Sequence, residues 1–434
     1  MLYQPNLSAH PQFSLLNFSF LYVIIKLTKQ KGDAKMKKIA KVLGSIVLGF
    51  LAICLVLAVA NRINARAIHE YIDTFGKVEF ENQLHPQYDE NGVAYFVTDE
   101  DFKVMQLTDV HIGGSIISAK NDKMAINAIS AMINAEKPDL VVVTGDISFA
   151  VPWAATLNNR FAHEMFGHIM ENLGVYWTVA FGNHDSEVYN FYSRSAVADM
   201  YESEKLEHCL FNRGPDDIFG ECNHAINVRN SNGLVTRSII MIDTNSYTDE
   251  DITGFNWIYD NIHEDQIQWY RDTIESLNAY NKSIDENAEC VKSLMFFHIP
   301  LMEVREAYNE YLENGESDEL KYIRGEVNEK DPYVYCSEEA EEMFETMVEL
   351  GSTEAIFYGH DHVNNILLEY QGITLCYGYS VDYFAYWQIA KQGAQRGCTI
   401  INCHPDTTFE IIHENYYQDK YVPLYEKEVV DITK

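Results

Sequence analysis

Five short apolar runs along this chain each end abruptly in residues that a hydrophobic core does not readily hold. "VMQL" leads into Thr108, Asp109, Val110 and His111, and "LVVVT" leads into Gly145 and Asp146. "WTVAF" leads into Gly182, Asn183, His184 and Asp185, "SLMFF" into His298, and "AIFY" into Gly359, His360, Asp361 and His362. Apolar runs this short read as buried strands. Amphipathic segments at 120–137 and around 159–172 separate the first three, and this strand–helix–strand rhythm implies a sheet covered by helices. In such sheets ligands bind outside the carboxyl ends of the strands, so the five clusters are expected to converge on one edge.

The same rhythm resumes with an apolar run at 237–243, a helical segment at 264–280 and a run at 291–298. A helix is expected between Ser337, as N-cap ahead of Glu338 and Glu339, and Gly351. The strand 354–359 comes next, and the tail from Asn365 alternates like antiparallel sheet. The acidic interval from Met302 to Cys336 reads either as a lid over the clusters or as a surface excursion. No internal repeat and no Pro- or Ser-rich linker divides the chain after residue 61, so one large domain is the simplest organisation.

Ahead of that domain, Val42 to Ala60 carries no charge, and its 19 residues approach the roughly 20 a helix needs to cross a bilayer. Lys35, Lys37, Lys38 and Lys41 precede it, which keeps that end in the cytoplasm and places the chain beyond Asn61 outside. The expected division is a cytoplasmic segment 1–41, a transmembrane anchor 42–60, a linker 61–100 leading into the domain, and a catalytic domain 101–434. Met36, followed by two lysines, reads as a natural start, which would leave residues 1–35 untranslated; their own apolar stretch, Phe13 to Ile25, is short for a span. "AVA" at 58–60 fits the small-residue pattern of a cleaved signal peptide, so secretion is the alternative to anchoring. An oxidising compartment permits disulfides, with Cys209–Cys222 and Cys398–Cys403 as candidate pairs; the absence of any CxxC argues against a structural zinc knuckle.

A formal net charge of −33 makes binding to a nucleic-acid duplex improbable, because tracking a polyanion needs clustered Lys and Arg. A chain this acidic that handles phosphate must bring positive charge in another form, and bound metal supplies it. The strand-end clusters offer carboxylate, imidazole and amide donors without thiolate, a set suited to Mn, Fe or Zn. They are numerous enough for two divalent ions, and a metal pair can clamp both the attacking and the leaving oxygens of a phosphoryl displacement. "HEMFGH" (163–168) superficially matches a zinc-protease HExxH, but its histidines lie five apart and Gly167 stands where the second ligand belongs. In the aromatic cluster 377–387 most rings read as core, with Tyr377 and Tyr379 the candidates to face a pocket. Glu303 is placed to bond His298 or a substrate hydroxyl.

The ordered set DxH, GD, GNHD, H and GHDH resembles the calcineurin-like metallophosphoesterases over roughly Lys103 to Ile412, with "IDTN" (242–245) and "DQIQWY" (265–270) also similar. "QLTDVHIG", "HIPLME" and "GHDHVN" are most similar to the single-domain branch like purple acid phosphatases. The resemblance implies an α/β fold of two packed mixed β-sheets flanked by helices, after the single N-terminal transmembrane helix. It implies that Asp109, His111 and His362 hold one metal, that Asn183, His298 and His360 hold the other, and that Asp146 bridges both. It further implies in-line attack of a metal-bridging hydroxide on a small phosphate ester, with His184 facing the leaving oxygen and Asp185 orienting it. A phosphomonoesterase is the expectation; a phosphodiesterase of the same fold and a catalytically silent surface binding protein are the alternatives. Purple acid phosphatases are similar in carrying GDxxY, with a tyrosinate on ferric iron; here Phe149 stands at that position and has no oxygen to ligate.

Overall fold

The computed structural model describes residues 34–430, apart from 153, 204, 330–332, 340–341, 387–388 and 390–394. The Phe13–Ile25 stretch lies outside the described residues. Two compact units are present, Met1–Arg66 and Ala67–Lys434.

In the first unit the described residues belong to helix α1 (Ala34–Ile72), whose part from Lys41 onward is long and apolar enough to cross a membrane. Its apolar side chains have no core to enter: Leu55 and Val56 are 66% and 67% exposed.

The second unit begins with the last residues of α1, where Ile68 and Ile72 are buried. Residues 67–100, within the stretch expected as linker and domain entry, belong to this compact unit. They supply β1 (Gln87–Tyr88) and β2 (Ala94–Val97), and β2 pairs in parallel with β6 (His224–Arg229). The first sheet has five strands: β3 (Phe102–Leu107), β4 (Leu140–Thr144), β5 (Trp177–Ala180), β13 (Gly397–Cys403) and β14 (Phe409–Asn415), in the order β14-β13-β3-β4-β5. The second has nine, adding β7 (Val235–Met241), β8 (Lys292–Phe296), β9 (Leu320–Arg324), β10 (Thr353–Tyr358), β11 (Leu367–Tyr370) and β12 (Ile373–Tyr377), in the order β1-β2-β6-β7-β8-β10-β12-β11-β9.

The strands that carry the clusters are the parallel ones. β3, β4 and β5 pair in parallel, as do β7, β8, β10 and β12. β4 is apolar throughout because it has a strand on either side and helices over the sheet; all five of its residues are buried. Helices α2 (Ala119–Glu136) and α3 (Arg160–Leu173) make the crossovers, and α3 stops where Gly174 takes a left-handed φ of 71° and donates its amide to Met170 O. Helix α4 (Arg194–Tyr201) comes after β5, and α5 (Glu264–Ile284) connects β7 to β8. A seam of hydrogen bonds joins the sheets at their carboxyl ends. Gln106 donates from Nε2 to Thr144 Oγ1 and Tyr358 O, and the Val381 amide donates to Thr108 O. That seam brings clusters from different sheets together.

Several local expectations are corrected. Ser337 does not cap the helix that ends at Gly351: α7 spans Met343–Leu350, and Ser337 Oγ instead accepts from the Glu339 amide while Glu338 pairs with Arg305. The Met302–Cys336 interval contains α6 (Met302–Asn314) and the edge strand β9. All eight cysteines are free. Cys398 and Cys403 lie five apart on β13 and so face opposite sides of the sheet. Tyr377 faces the interior rather than a pocket, fully buried with its hydroxyl 2.5 Å from Asp361 Oδ2, and Tyr379 stacks on His413.

Candidate metal centre

Each cluster sits on the turn that follows its strand, and three of those five turns, after β3, β4 and β10, are strained. Asp109, His111, Asp146 and His360 all have positive φ, from 49° to 73°, although none is glycine. Left-handed backbone costs a residue with a Cβ on the order of 1–3 kcal/mol, and it persists only where the surroundings over-determine it. Here the strain turns four side chains inward from three strand ends, those of β3, β4 and β10. Crowding is the reason for the adjacent glycine at 145, where φ is 82° and a Cβ would stand 2.6 Å from His298 Nδ1.

Asp146 is at the middle and is completely buried. Its Oδ2 lies 3.2 Å from His111 Nε2 and 3.1 Å from His298 Nε2, one imidazole from each sheet, while Oδ1 accepts the His184 amide at 2.8 Å. Burial alone would raise this carboxyl, but His298, His184 and His111 hold it well below the usual range. Asp109, His111, Asp146 and His362 offer four ligand atoms within 4.8 Å of one another, and this group could hold a metal ion. His298, Asn183 and His360 lie alongside: His298 Nε2 is 3.2 Å from Asn183 Oδ1, and the rings of His298 and His360 are 5.2 Å apart. All seven residues expected as ligands are therefore brought to one place.

The donor set fits divalent ions. Ligand distances of about 2.0–2.1 Å put neighbouring donors of a tetrahedral ion about 3.3 Å apart. The spacings around Asp146 and Asp109, 3.1, 3.2 and 3.6 Å, bracket that value.

Sequence reasoning missed the groups that hold these ligands. Asp382 Oδ2 lies 3.3 Å from both His111 Nδ1 and His362 Nδ1, so one buried carboxylate stands behind both rings, whose Nε2 atoms lie 3.2 Å from Asp146 and 3.6 Å from Asp109. The amides of Phe384, Ala385 and Tyr386 fix that carboxylate. His298 is set differently, by Thr144 O at 2.7 Å from its Nδ1. Glu303 does not reach His298: it is buried in α6, its Oε2 has no partner, and burial pushes its carboxyl up to about 7.

The expectation for Asp185 also needs correction. Its carboxylate faces away from the His184 ring and accepts from the amides of Asp146, Ser148 and Gly182, tying the GD turn to the GNHD turn. The group beside the His184 ring is Glu187, whose Oε1 lies 2.8 Å from Nδ1. Phe149, at the position where the resemblance expects a tyrosine, packs 5.2 Å from the His111 ring and 5.0 Å from that of His184.

Two sheets meeting at a buried Asp/His cluster form a site that could hold a metal ion, and comparison with known proteins supplies the class. The calcineurin-like phosphoesterase family matches residues 102–364, more than half of the chain. The chain belongs to that family, whose members are hydrolases acting on phosphate esters. It is 28% identical over 331 residues to Probable inactive purple acid phosphatase 28 of Arabidopsis thaliana, covering 70% of this chain and 76% of that protein. It is 26% identical over 312 residues to the Phosphatase DCR2 of Saccharomyces cerevisiae, covering 65% of this chain and 48% of that protein. Among solved structures it is similar to a dimetal phosphatase from Danio rerio, with 13% identity and a TM-score of 0.41, covering 70% of this chain and 93% of that one.

Proposed function

We propose that this chain is a phosphomonoesterase using two divalent ions, drawn from Mn, Fe and Zn, held by Asp109, His111, Asp146 and His362 on one side and by Asp146, Asn183, His298 and His360 on the other. The observation that carries the reading is the position of Asp146, one carboxylate flanked at 3.1 and 3.2 Å by imidazoles from opposite sheets. Bound ions would supply an acidified water and neutralise the phosphate charge.

The chain's own groups do the rest. His184 is the proposed acid: with Nδ1 on Glu187, its Nε2 is the nitrogen left to serve a leaving oxygen. Phe149 packs against the same ring and limits its swing. Arg194 is not a free phosphate clamp, because its guanidinium is spent on Asp243 and on the carbonyls of Gly182 and Asn245. Neutralising substrate charge therefore falls to the ions.

The apolar run in α1 and its preceding lysines support a reading in which this activity lies outside the cytoplasm, on an anchored or a secreted chain. The names of the Arabidopsis relatives favour a second reading, a silent surface binding protein. Against it, all seven ligand positions and His184 are filled and folded together. The test uses the full chain in detergent, stripped of metal and reloaded with Mn, Fe(II) or Zn, and assayed on p-nitrophenyl phosphate and bis-p-nitrophenyl phosphate. Faster turnover of the monoester supports the proposal, a preference for the diester makes it a phosphodiesterase, and two bound ions without turnover of either supports the silent reading.

A further inference from the structure

His184 is held by a carboxylate outside the five strand-end clusters. Glu187 lies two residues past the GNHD cluster and is only 6% exposed. Its Oε1 is 2.8 Å from His184 Nδ1, and the Tyr247 hydroxyl approaches the same oxygen at 3.5 Å. Tyr247 also accepts from Asn183 Nδ2 at 2.9 Å, which leaves Asn183 Oδ1 as the atom turned toward His298. The chain Asn183–Tyr247–Glu187–His184 thus runs from an expected ligand to the proposed acid without a break. Tyr247 comes from the segment after β7, in the other sheet, so the network also crosses the seam between the sheets.

Energetics favour a directing role for this contact. A buried carboxylate facing an imidazole makes a charge-assisted hydrogen bond, about twice as strong as a neutral one. Breaking it would leave Glu187 charged and enclosed. The ring's other neighbours, Phe149 at 5.0 Å and His111 at 5.7 Å, are packing contacts that do not choose between the two ring nitrogens. Only Glu187 fixes the tautomer.

We propose that Glu187 is the positioning residue of His184, accepting the Nδ1–H so that the doubly protonated ring presents its Nε2–H to the leaving-group oxygen and, once that proton is given up, keeps the one on Nδ1, and that Tyr247 links this carboxylate to the Asn183 amide. The role rests on the phosphomonoesterase reading for its kinetic consequence, but not for its structural one.

Two readouts separate them. In the full chain loaded with Zn, the imidazole ¹⁵N–¹H spectrum should show a slowly exchanging, downfield Nδ1–H that vanishes in His184→Ala and in Glu187→Ala and persists in Glu187→Gln. A wild-type His184 with no proton on Nδ1, or an unchanged Nδ1–H in Glu187→Ala, overturns the proposal whether or not the protein turns over any ester. In the Mn-loaded chain, Glu187→Ala should lower kcat on phenyl phosphate by about 10²-fold and on p-nitrophenyl phosphate by less than tenfold, with KM and bound metal unchanged. Glu187→Gln, which keeps an acceptor oxygen, should recover most of that loss. Equal losses on both esters, or metal lost from Glu187→Ala, would show a structural role and overturn the proposal. A wild-type chain with two ions and no turnover would sink the phosphomonoesterase reading alone and leave the spectrum to decide on Glu187.

Discussion

Around Asp109, His111, Asp146 and His362 the donors include two carboxylates, and a third, Asp382, stands behind both imidazoles. Around Asn183, His298 and His360 the shared Asp146 is the only carboxylate expected as a ligand. There the donors are held by neutral groups: His298 by a backbone carbonyl, Asn183 by the Tyr247 hydroxyl, and His360 packed against the edge of Tyr259 at 4.6 Å. In the proposed centre the first half would attract a cation by charge, and the second would offer it a prearranged cradle with a single carboxylate. Two ions held by such unlike halves need not bind alike. The carboxylate-rich half should fill first and empty last, and everything that touches Asp146 should affect both.

Asp146→Asn should produce the largest effect, because it removes the charge the two halves share. Turnover is expected to fall by about 10³-fold or more, with bound metal falling together in both halves. Metal counting beside circular dichroism checks this, and loss from one half only would show that the carboxylate is not shared.

His184→Ala should leave metal content intact and reduce kcat by about 10²–10⁴-fold on esters with poor leaving groups. Metal loss in that variant would make His184 a ligand.

Asp382→Asn is expected to weaken the carboxylate-rich half by about 10–100-fold and leave the other half unchanged, read as a shift in one of two chelator titration steps. A shift of both steps would mean that Asp382 acts on the whole centre.

The smallest effect is one of pH. Burial would lower His298, but facing Asp146, with Asp109 and the Thr144 carbonyl, carries it up to about 9. Below that pH the metal-free ring carries a proton that a cation must expel, so affinity in the amide-containing half should rise by about tenfold per pH unit up to about pH 9 and then level off. Calorimetry in buffers of different ionisation heat checks the released proton. Affinity that falls as pH rises would contradict the assignment.

Much of this centre is legible in the sequence because a strand buried on both faces has only its ends to offer polar groups. The transition from "LVVVT" to Gly145 and Asp146 is visible without coordinates, and so are the other four. Asp382 follows the same rule beyond the end of β12, but four residues separate it from Tyr377 and aromatic side chains flank it on both sides, so its cluster reads as core. Glu187 was hidden for another reason. The GNHD cluster offers Asp185 as the nearer carboxylate, and only the turn geometry shows that backbone amides claim it. The Ser337 signal reads as a helix start, but its hydroxyl closes a local turn onto the Glu339 amide and the helix begins only at Met343. The region from 302 to 336 was the least legible, since its acidic, tyrosine-rich composition masks an edge strand that needs β11 beside it to form.

The most direct test is anomalous diffraction at the metal edge from crystals of the full chain grown with Mn or Zn. Two peaks are predicted, one among Asp109, His111, Asp146 and His362 and one against Asn183, His298 and His360, with Asp146 touching both. A single peak at saturating metal, or a pair of peaks that Asp146 does not bridge, would contradict the account.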